Sequence, residues 1–101
     1  MEETSGLRAL PPSIQDLVHF LIQTKNVKKI VLFGSRARNQ ARENSDYDLA
    51  VWVNDRKIWS QTLAQVEEKN LTLLPVDLVL YDELTSDYKS NIDREGVLIY
   101  E

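Results

Sequence analysis

The hydrophobic positions of this chain first repeat with the period of a helix. A set of apolar residues recurs at i, i+3, i+4, i+7 and i+8, and predicts an amphipathic helix: Ile14, Leu17, Val18, Leu21 and Ile22. We expect Ser13 to be its N-cap and the helix to end near residues 25–26. Residues 1–10 lack periodicity, which favours a mobile tail preceding a single domain over residues 11–101.

Short apolar runs bounded by turn residues predict strands over residues 28–33, 46–53, 76–81 and 97–100. Between the second and third runs, Trp59, Leu63 and Val66 have helical spacing and predict a helix from residues 54–55 to about 69 that packs on the sheet. A further helix around residues 86–94 should end at Gly96. This order predicts an α/β fold, in which helices flank a small mixed β-sheet.

Composition narrows the class of protein. With 101 residues the chain can bury one core, and a net charge of −4 with a pI near 5.0 argues against general nucleic-acid binding, which needs a broad basic surface. The lack of cysteine excludes disulfides and zinc–thiolate sites. An acidic N-terminus and short apolar runs argue against a signal peptide and a membrane span. We therefore expect a cytoplasmic protein.

The most informative stretch is residues 31–53. An apolar run ends at Phe33 and continues into Gly34-Ser35, a basic segment, and then Asp46-Tyr47-Asp48 at the start of the next strand. Strand alternation places the two carboxylates, two residues apart, on the same face. Like charges held this close are most easily kept ionised by a cation between them. The sequence therefore predicts a divalent metal site.

Each of these motifs also has a simpler interpretation when it occurs alone. A Gly-Ser pair after a strand is usually only a turn, and an isolated Asp-x-Asp is more often a solvated loop. A calcium loop starting at Asp46 would place Val51 and Lys57 where glycine and glutamate are required, and no P-loop lysine motif occurs. His19 has no partner motif and should lie at the surface or edge of the first helix.

Asp77 is the second unusual feature, because all of its neighbours in the run from Val76 to Leu80 are apolar. An unpaired carboxylate in such surroundings is costly to keep charged, so it needs a partner. One interpretation is a strand-end aspartate that meets solvent or a surface lysine. The other is a functional carboxylate that acts together with Asp46 and Asp48.

Together these motifs resemble the signature of the minimal nucleotidyltransferases, within the DNA polymerase beta-like superfamily. The family pattern, Gly-Ser-Arg-Ala-Arg-Gly and then Ser-Asp-x-Asp-Leu, is matched by residues 34–39 and 45–49. Asn39 stands where the family has glycine, and asparagine tolerates the left-handed conformation, so the turn should survive. The resemblance implies a fold like the polymerase beta palm.

The resemblance also implies the roles of individual residues. Asp46, Asp48 and Asp77 would form the catalytic carboxylate triad. Asp46 and Asp48 would bind Mg²⁺ together with the triphosphate of ATP, and Asp77 would bind a second Mg²⁺ or deprotonate the acceptor hydroxyl. The residues implied to contact the nucleotide phosphates are Gly34, Ser35, Arg36, Arg38 and Ser45. For the two arginines, simple solvation on an exposed turn is an equal alternative.

The function that the resemblance implies is that of an antitoxin. Such a protein transfers AMP from ATP to a tyrosine of a HEPN-domain ribonuclease toxin. Two alternatives remain open: an antitoxin that inhibits its partner by binding alone, and an antibiotic-type adenylyltransferase. The latter enzymes add a helical domain that holds the drug, and 101 residues leave little room for one. We therefore expect the acceptor hydroxyl to be on a partner protein.

Overall fold

The structure, a computed structural model, describes residues 3–38, 45–71 and 74–101. Its sheet has four strands, β1 (Val27–Phe33), β2 (Tyr47–Val53), β3 (Val76–Leu80) and β4 (Val97–Tyr100), in the order β3-β2-β1-β4. Strand β1 is antiparallel to β2 and β4, whereas β2 and β3 are parallel. The prediction of a small mixed sheet is thus confirmed. The predicted turn at Asn39 lies outside the described residues.

The described residues form four α-helices, which are α1 (Ser5–Arg8), α2 (Pro12–Gln23), α3 (Arg56–Glu68) and α4 (Ser86–Glu95). The main core contains buried residues of α1, α2 and α3 together with Ile30, Leu49 and Val51 of the sheet. A smaller core on the opposite face of the sheet contains Val31, Ala50 and Ile92 of α4. No helix within the described ranges is long and apolar enough to cross a membrane.

Helix α2 begins differently from the prediction. Pro11 is the N-cap and Pro12 is the first helical residue, so Ser13 lies inside the helix and does not cap it. The prediction of a Ser13 cap is wrong because proline has a fixed φ that suits the first helical position and lacks only an N–H that would be unpaired there. The predicted apolar face is confirmed, since Ile14, Leu17 and Leu21 are buried.

The N-terminal segment is packed against the sheet from residue 4 onward. Helix α1 buries Leu7, and Leu10 follows it into the main core. The hydroxyl of Thr4 donates to the carbonyl of Ile99 on β4 at 2.6 Å and accepts from the amide of Leu7 at 3.0 Å. The expectation of a mobile tail over residues 1–10 is therefore wrong for residues 4–10, where two leucines and one threonine are enough to dock a short helix.

Helix α4 crosses the second face of the sheet at a short distance. Its Ile92 packs with Val31 and Ala50, and a Cβ atom at Gly96 would overlap Val31 and the carbonyl of Ile92. The predicted stop at Gly96 is confirmed, but its φ of −66° is not left-handed. Glycine is needed here for close packing, and this packing holds α4 over the face of the sheet that bears Asp48.

Candidate active site

The turn after β1 requires glycine for two reasons. Gly34 has a φ of +76°, a conformation that costs other residues free energy. A Cβ atom at this position would also overlap Oδ2 of Asp48. The carbonyl of Gly34 accepts hydrogen bonds from the amides of Ala37 at 3.1 Å and Arg38 at 3.2 Å, so residues 34–38 form a helical turn. The backbone of Gly34 therefore lies directly against the Asp48 carboxylate.

Asp48 and Asp77 are neighbours across parallel strands. Asp48 on β2 is the register partner of Asp77 on β3 and of Phe33 on β1. Register partners project to the same face of a sheet, so the two carboxylates lie side by side on the face that α4 partly covers. Asp48 is half-buried in the centre, whereas Asp77 is exposed on the edge strand. Asp77 therefore meets solvent, as the first interpretation has it, and also lies beside a second carboxylate.

The pKa of Asp48 reflects the negative charges of the other two aspartates. Burial raises the pKa of Asp48, and the negative charges of Asp77 and then Asp46 raise it further. Asp46 itself is exposed and immediately precedes β2. The structure therefore brings the three predicted carboxylates into one electrostatic group, centred on Asp48.

The fit of this group to a metal ion depends on its donor atoms. Within residues 3–38, 45–71 and 74–101, no three acidic or histidine side chains converge closely enough to hold a metal ion by themselves. Mg²⁺, however, commonly binds through one or two carboxylates and completes its shell with water and substrate phosphates. An all-oxygen pair such as Asp48 and Asp77 fits that behaviour, so Mg²⁺ binding together with a nucleotide is compatible with this site.

Arg36 lies against the start of β2, on the side of the sheet opposite to Asp48. Its guanidinium donates to the carbonyl of Ser45 at 2.9 Å and lies 4.3 Å from the ring centre of Tyr47. Tyr47 packs against the main core, and strand alternation places it on the face opposite to Asp48. These contacts of Arg36 hold the chain at the start of β2, which orients Asp46 and Asp48.

Arg38 lies on the face of the sheet that carries Asp48. Its Nη1 lies 3.4 Å from Oε2 of Glu95 at the end of α4, so this arginine is on the same side of the sheet as Asp48. Ser35 follows Gly34 directly and is half-buried in the turn. Of the residues predicted to contact phosphate, Gly34 contacts Asp48, Ser45 directly precedes Asp46, and Arg38 lies on the same side of the sheet as Asp48.

Sequence reasoning missed the apolar half of the site. A depression beside the carboxylates is lined by Phe33, Asp48, Asp77, Val79, Leu84 and Tyr88. We call it the carboxylate depression. A usable signal was present, because Leu84, Tyr88 and Ile92 are spaced four residues apart, as on one face of a helix. The apolar residues beside the carboxylates make one wall that can receive an uncharged planar group.

The chain matches a known family over most of its length. Residues 15–101 match the family described as polymerase beta, nucleotidyltransferase. Comparison with curated proteins gives no match. Gly34, Asp48 and Asp77 all lie within the matched residues.

Several solved structures are similar to this fold. A protein described as a minimal nucleotidyltransferase superposes with a TM-score of 0.66 at 25% identity, over 90% of this chain and 93% of the other. A mutant of the toxin–antitoxin MntA-HpeT gives 0.62 at 26% identity, over 86% and 71% of the two chains. A toxin–antitoxin with AMP-PNP gives 0.64 at 20% identity, over 89% and 73%. The chain therefore belongs to the polymerase beta nucleotidyltransferase family.

Proposed function

We propose that this chain transfers AMP from ATP to a tyrosine hydroxyl of a cognate HEPN ribonuclease toxin and thereby acts as its antitoxin. The observation that carries the enzymatic part is the Asp48–Asp77 register pair, with the Gly34 backbone against Asp48. A protein that only bound its partner would have no need of this arrangement, in which burial and the neighbouring negative charges disfavour the ionised form of Asp48.

In the proposed reaction, the phenolic oxygen of the acceptor attacks the α-phosphorus of ATP. A new P–O bond forms, the bond between the α-phosphorus and the bridging oxygen breaks, and pyrophosphate leaves. The phenolic proton passes to Asp77 or to solvent, because Asp77 is the exposed carboxylate on the edge strand. Asp46 and Asp48 would orient the triphosphate together with its cation, and Ser35 would donate a hydrogen bond to a phosphate oxygen.

Mg²⁺ would be held by Asp46, Asp48 and Asp77 together with the nucleotide, and would stabilise negative charge on the attacking and leaving oxygens. The chain's own contribution is to orient these groups. Gly34 allows the backbone to approach Asp48 closely, and Arg36 anchors the start of β2 through Ser45. Arg38, on the same face, is placed to offset phosphate charge.

The proposal of a toxin partner rests on similar structures. Those reported above include a toxin–antitoxin with AMP-PNP, and a further MntA-HpeT mutant superposes with a TM-score of 0.60 at 21% identity. That mutant replaces two aspartates, two positions apart, with glutamates. The spacing equals that of Asp46 and Asp48 in this chain. A nucleotide-using antitoxin is therefore the function that the fold and the site support best.

The test is co-expression of the toxin with wild type or with the double mutant Asp46→Asn, Asp48→Asn, followed by intact-mass measurement of the toxin. Wild type should restore growth and add the mass of AMP to the toxin, whereas the double mutant should do neither. Ser90→Ala, an exposed substitution on α4, is a control for expression. Growth rescue by the double mutant without an adduct would replace the enzymatic proposal with inhibition by binding.

A further inference from the structure

Tyr88 is more exposed than its position on α4 would suggest. It lies one turn before Ile92 on α4, on the helix face that packs against the sheet, and Ile92 is only 3% exposed. Tyr88 is 55% exposed nevertheless. Its ring is exposed because it lines the carboxylate depression together with Asp48 and Asp77. An aromatic ring in this position borders a space that the protein itself does not fill.

The other tyrosine near this face is already engaged. Tyr81 stacks on Trp52 with ring centres 4.3 Å apart, and its hydroxyl donates to Asp93 at 3.0 Å. Trp52 and Tyr81 therefore make one packed aromatic pair. Tyr88 is the exposed ring beside the reacting carboxylates, and Leu84 adds an apolar surface next to it.

The charged side chains differ between the two ends of α4. Arg38 of the glycine turn meets Glu95 at the C-terminal end of the helix. Tyr88 lies seven residues earlier, about 10 Å along the helix axis. The short helical turn at residues 81–83 and the first turn of α4 expose three acidic side chains, Asp82, Glu83 and Asp87, of which Glu83 lies 3.9 Å from Arg56. This excess of negative charge disfavours a triphosphate beside Tyr88 and is compatible with an uncharged acceptor ring there.

We propose that Tyr88 is a specificity-determining residue for the acceptor, and that its ring stacks on the phenol ring that receives AMP. This proposal rests on the proposed function and names the residues that bind its acceptor. Leu84 and Val79 line the apolar side of the same space, and Asp77 is on the hydroxyl side. Aliphatic hydroxyls lack a planar face to stack, so serine and threonine acceptors gain nothing from this wall.

The test uses N-acetyl-tyrosinamide as the acceptor probe, with ATP and Mg²⁺, and compares wild type with Tyr88→Ala and Tyr88→Phe. Tyr88→Ala should raise the KM for the probe about threefold to tenfold, as expected for loss of one aromatic pair, with a smaller change in kcat. Tyr88→Phe should restore the wild-type KM, since the ring and not the hydroxyl makes the contact. Ile58→Ala, which removes a 41% exposed apolar side chain on α3, is the matched control.

Binding measurements separate the acceptor from the nucleobase as the partner of Tyr88. The Kd of Mg·ATP should be the same for wild type and Tyr88→Ala, and the probe should shift the Tyr88 ring resonances in NMR spectra. A weaker Kd for ATP in Tyr88→Ala would place the base on this ring, and an AMP adduct on Tyr88 would make it a self-acceptor. Either result overturns the proposal.

The role of Tyr88 and the proposed transfer of AMP can be disproved separately. If wild type transfers AMP to the probe and Tyr88→Ala does so with an unchanged KM, the role of Tyr88 is wrong and the proposed function stands. If wild type transfers AMP to neither the probe nor the toxin, phenolic transfer itself is wrong, and the acceptor role of Tyr88 falls with it.

Discussion

Asp48 on β2 and Asp77 on β3 are register partners on parallel strands, so their carboxylates lie side by side on one face of the sheet. Structural stability alone would not favour two acidic groups there, because burial and like charge both raise the pKa of Asp48. The arrangement is therefore costly without a cation, and a bound cation would reduce that cost. Replacing one of these aspartates should therefore lower activity without lowering the stability of the metal-free protein.

Replacing either carboxylate of the Asp-x-Asp pair should separate activity from stability. Asp46→Asn or Asp48→Asn should lower nucleotide transfer about 100-fold or more, because half of the paired charge that accompanies Mg·ATP is lost. The Tm without metal should stay equal or rise by about 1–4 °C, since repulsion with the remaining aspartates decreases. Normal Mg²⁺-dependent transfer by either mutant would remove these residues from the active site.

The stabilising effect of Asp48→Asn should depend on pH. Because the pKa of Asp48 is raised in the folded state, the folded protein binds this proton more tightly than the unfolded chain does. Ionised Asp48 therefore lowers stability at neutral pH, and this loss disappears as the pH falls through the raised pKa. The Tm difference between mutant and wild type should be largest near pH 7 and vanish below the ordinary value of 3.8.

Thermal unfolding without metal, from pH 3 to pH 7, measures this difference. Asp16→Asn on α2 is the control, because it makes the same change in net charge at an exposed position remote from the site. A Tm difference for Asp48→Asn that grows on acidification would contradict the assigned electrostatics.

Asp77 and Ser35 should affect different steps. Asp77→Asn should lower the single-turnover rate and leave the Kd of Mg·ATP nearly unchanged, because Asp77 is assigned to the acceptor side. Ser35→Ala should weaken Mg·ATP binding and change the rate less, because one phosphate donor is lost while backbone amides remain. Equilibrium titration and single-turnover rates distinguish the two, and the opposite pattern would mean that the assigned roles are exchanged.

Gly34 should not tolerate a side chain. Gly34→Ala should lower the free energy of unfolding by about 1–2 kcal/mol for the left-handed φ, and by more because its Cβ overlaps Asp48. In an Asp48→Ala background the overlap disappears and only the cost of the φ angle remains. Urea unfolding of the four proteins in this double-mutant cycle measures the difference. Equal costs in both backgrounds would show that the contact with Asp48 is unimportant.

Much of the fold could be predicted from local patterns. The four strand positions and helices α2, α3 and α4 follow from periodicity, because their apolar faces are regular and their ends carry turn residues. The packed segment around Leu7 could not be predicted in this way, since a four-residue helix shows no period. Its position depends on the distant hydrogen bond between Thr4 and Ile99.

The candidate site was predictable where it is local in sequence. Asp46 and Asp48 were found from their spacing, and Asp77 from its unusual apolar neighbours. The position of Arg36 was not predictable, because it depends on a tertiary contact. Arg36 stacks on Tyr47, and strand alternation places Tyr47 on the face opposite to Asp48. Tyr88 was missed for a related reason: only the crossing of α4 over the sheet brings it to the carboxylates.

The most direct test of the account follows a labelled phosphate from ATP to the purified toxin in the presence of Mg²⁺. ATP labelled at the α-phosphate should label the toxin, whereas ATP labelled at the γ-phosphate should not, because AMP is transferred and pyrophosphate leaves. The double mutant Asp48→Asn, Asp77→Asn should give no label from either nucleotide. Label from the γ-phosphate, or undiminished labelling by the double mutant, would contradict nucleotidyl transfer at the Asp48–Asp77 pair.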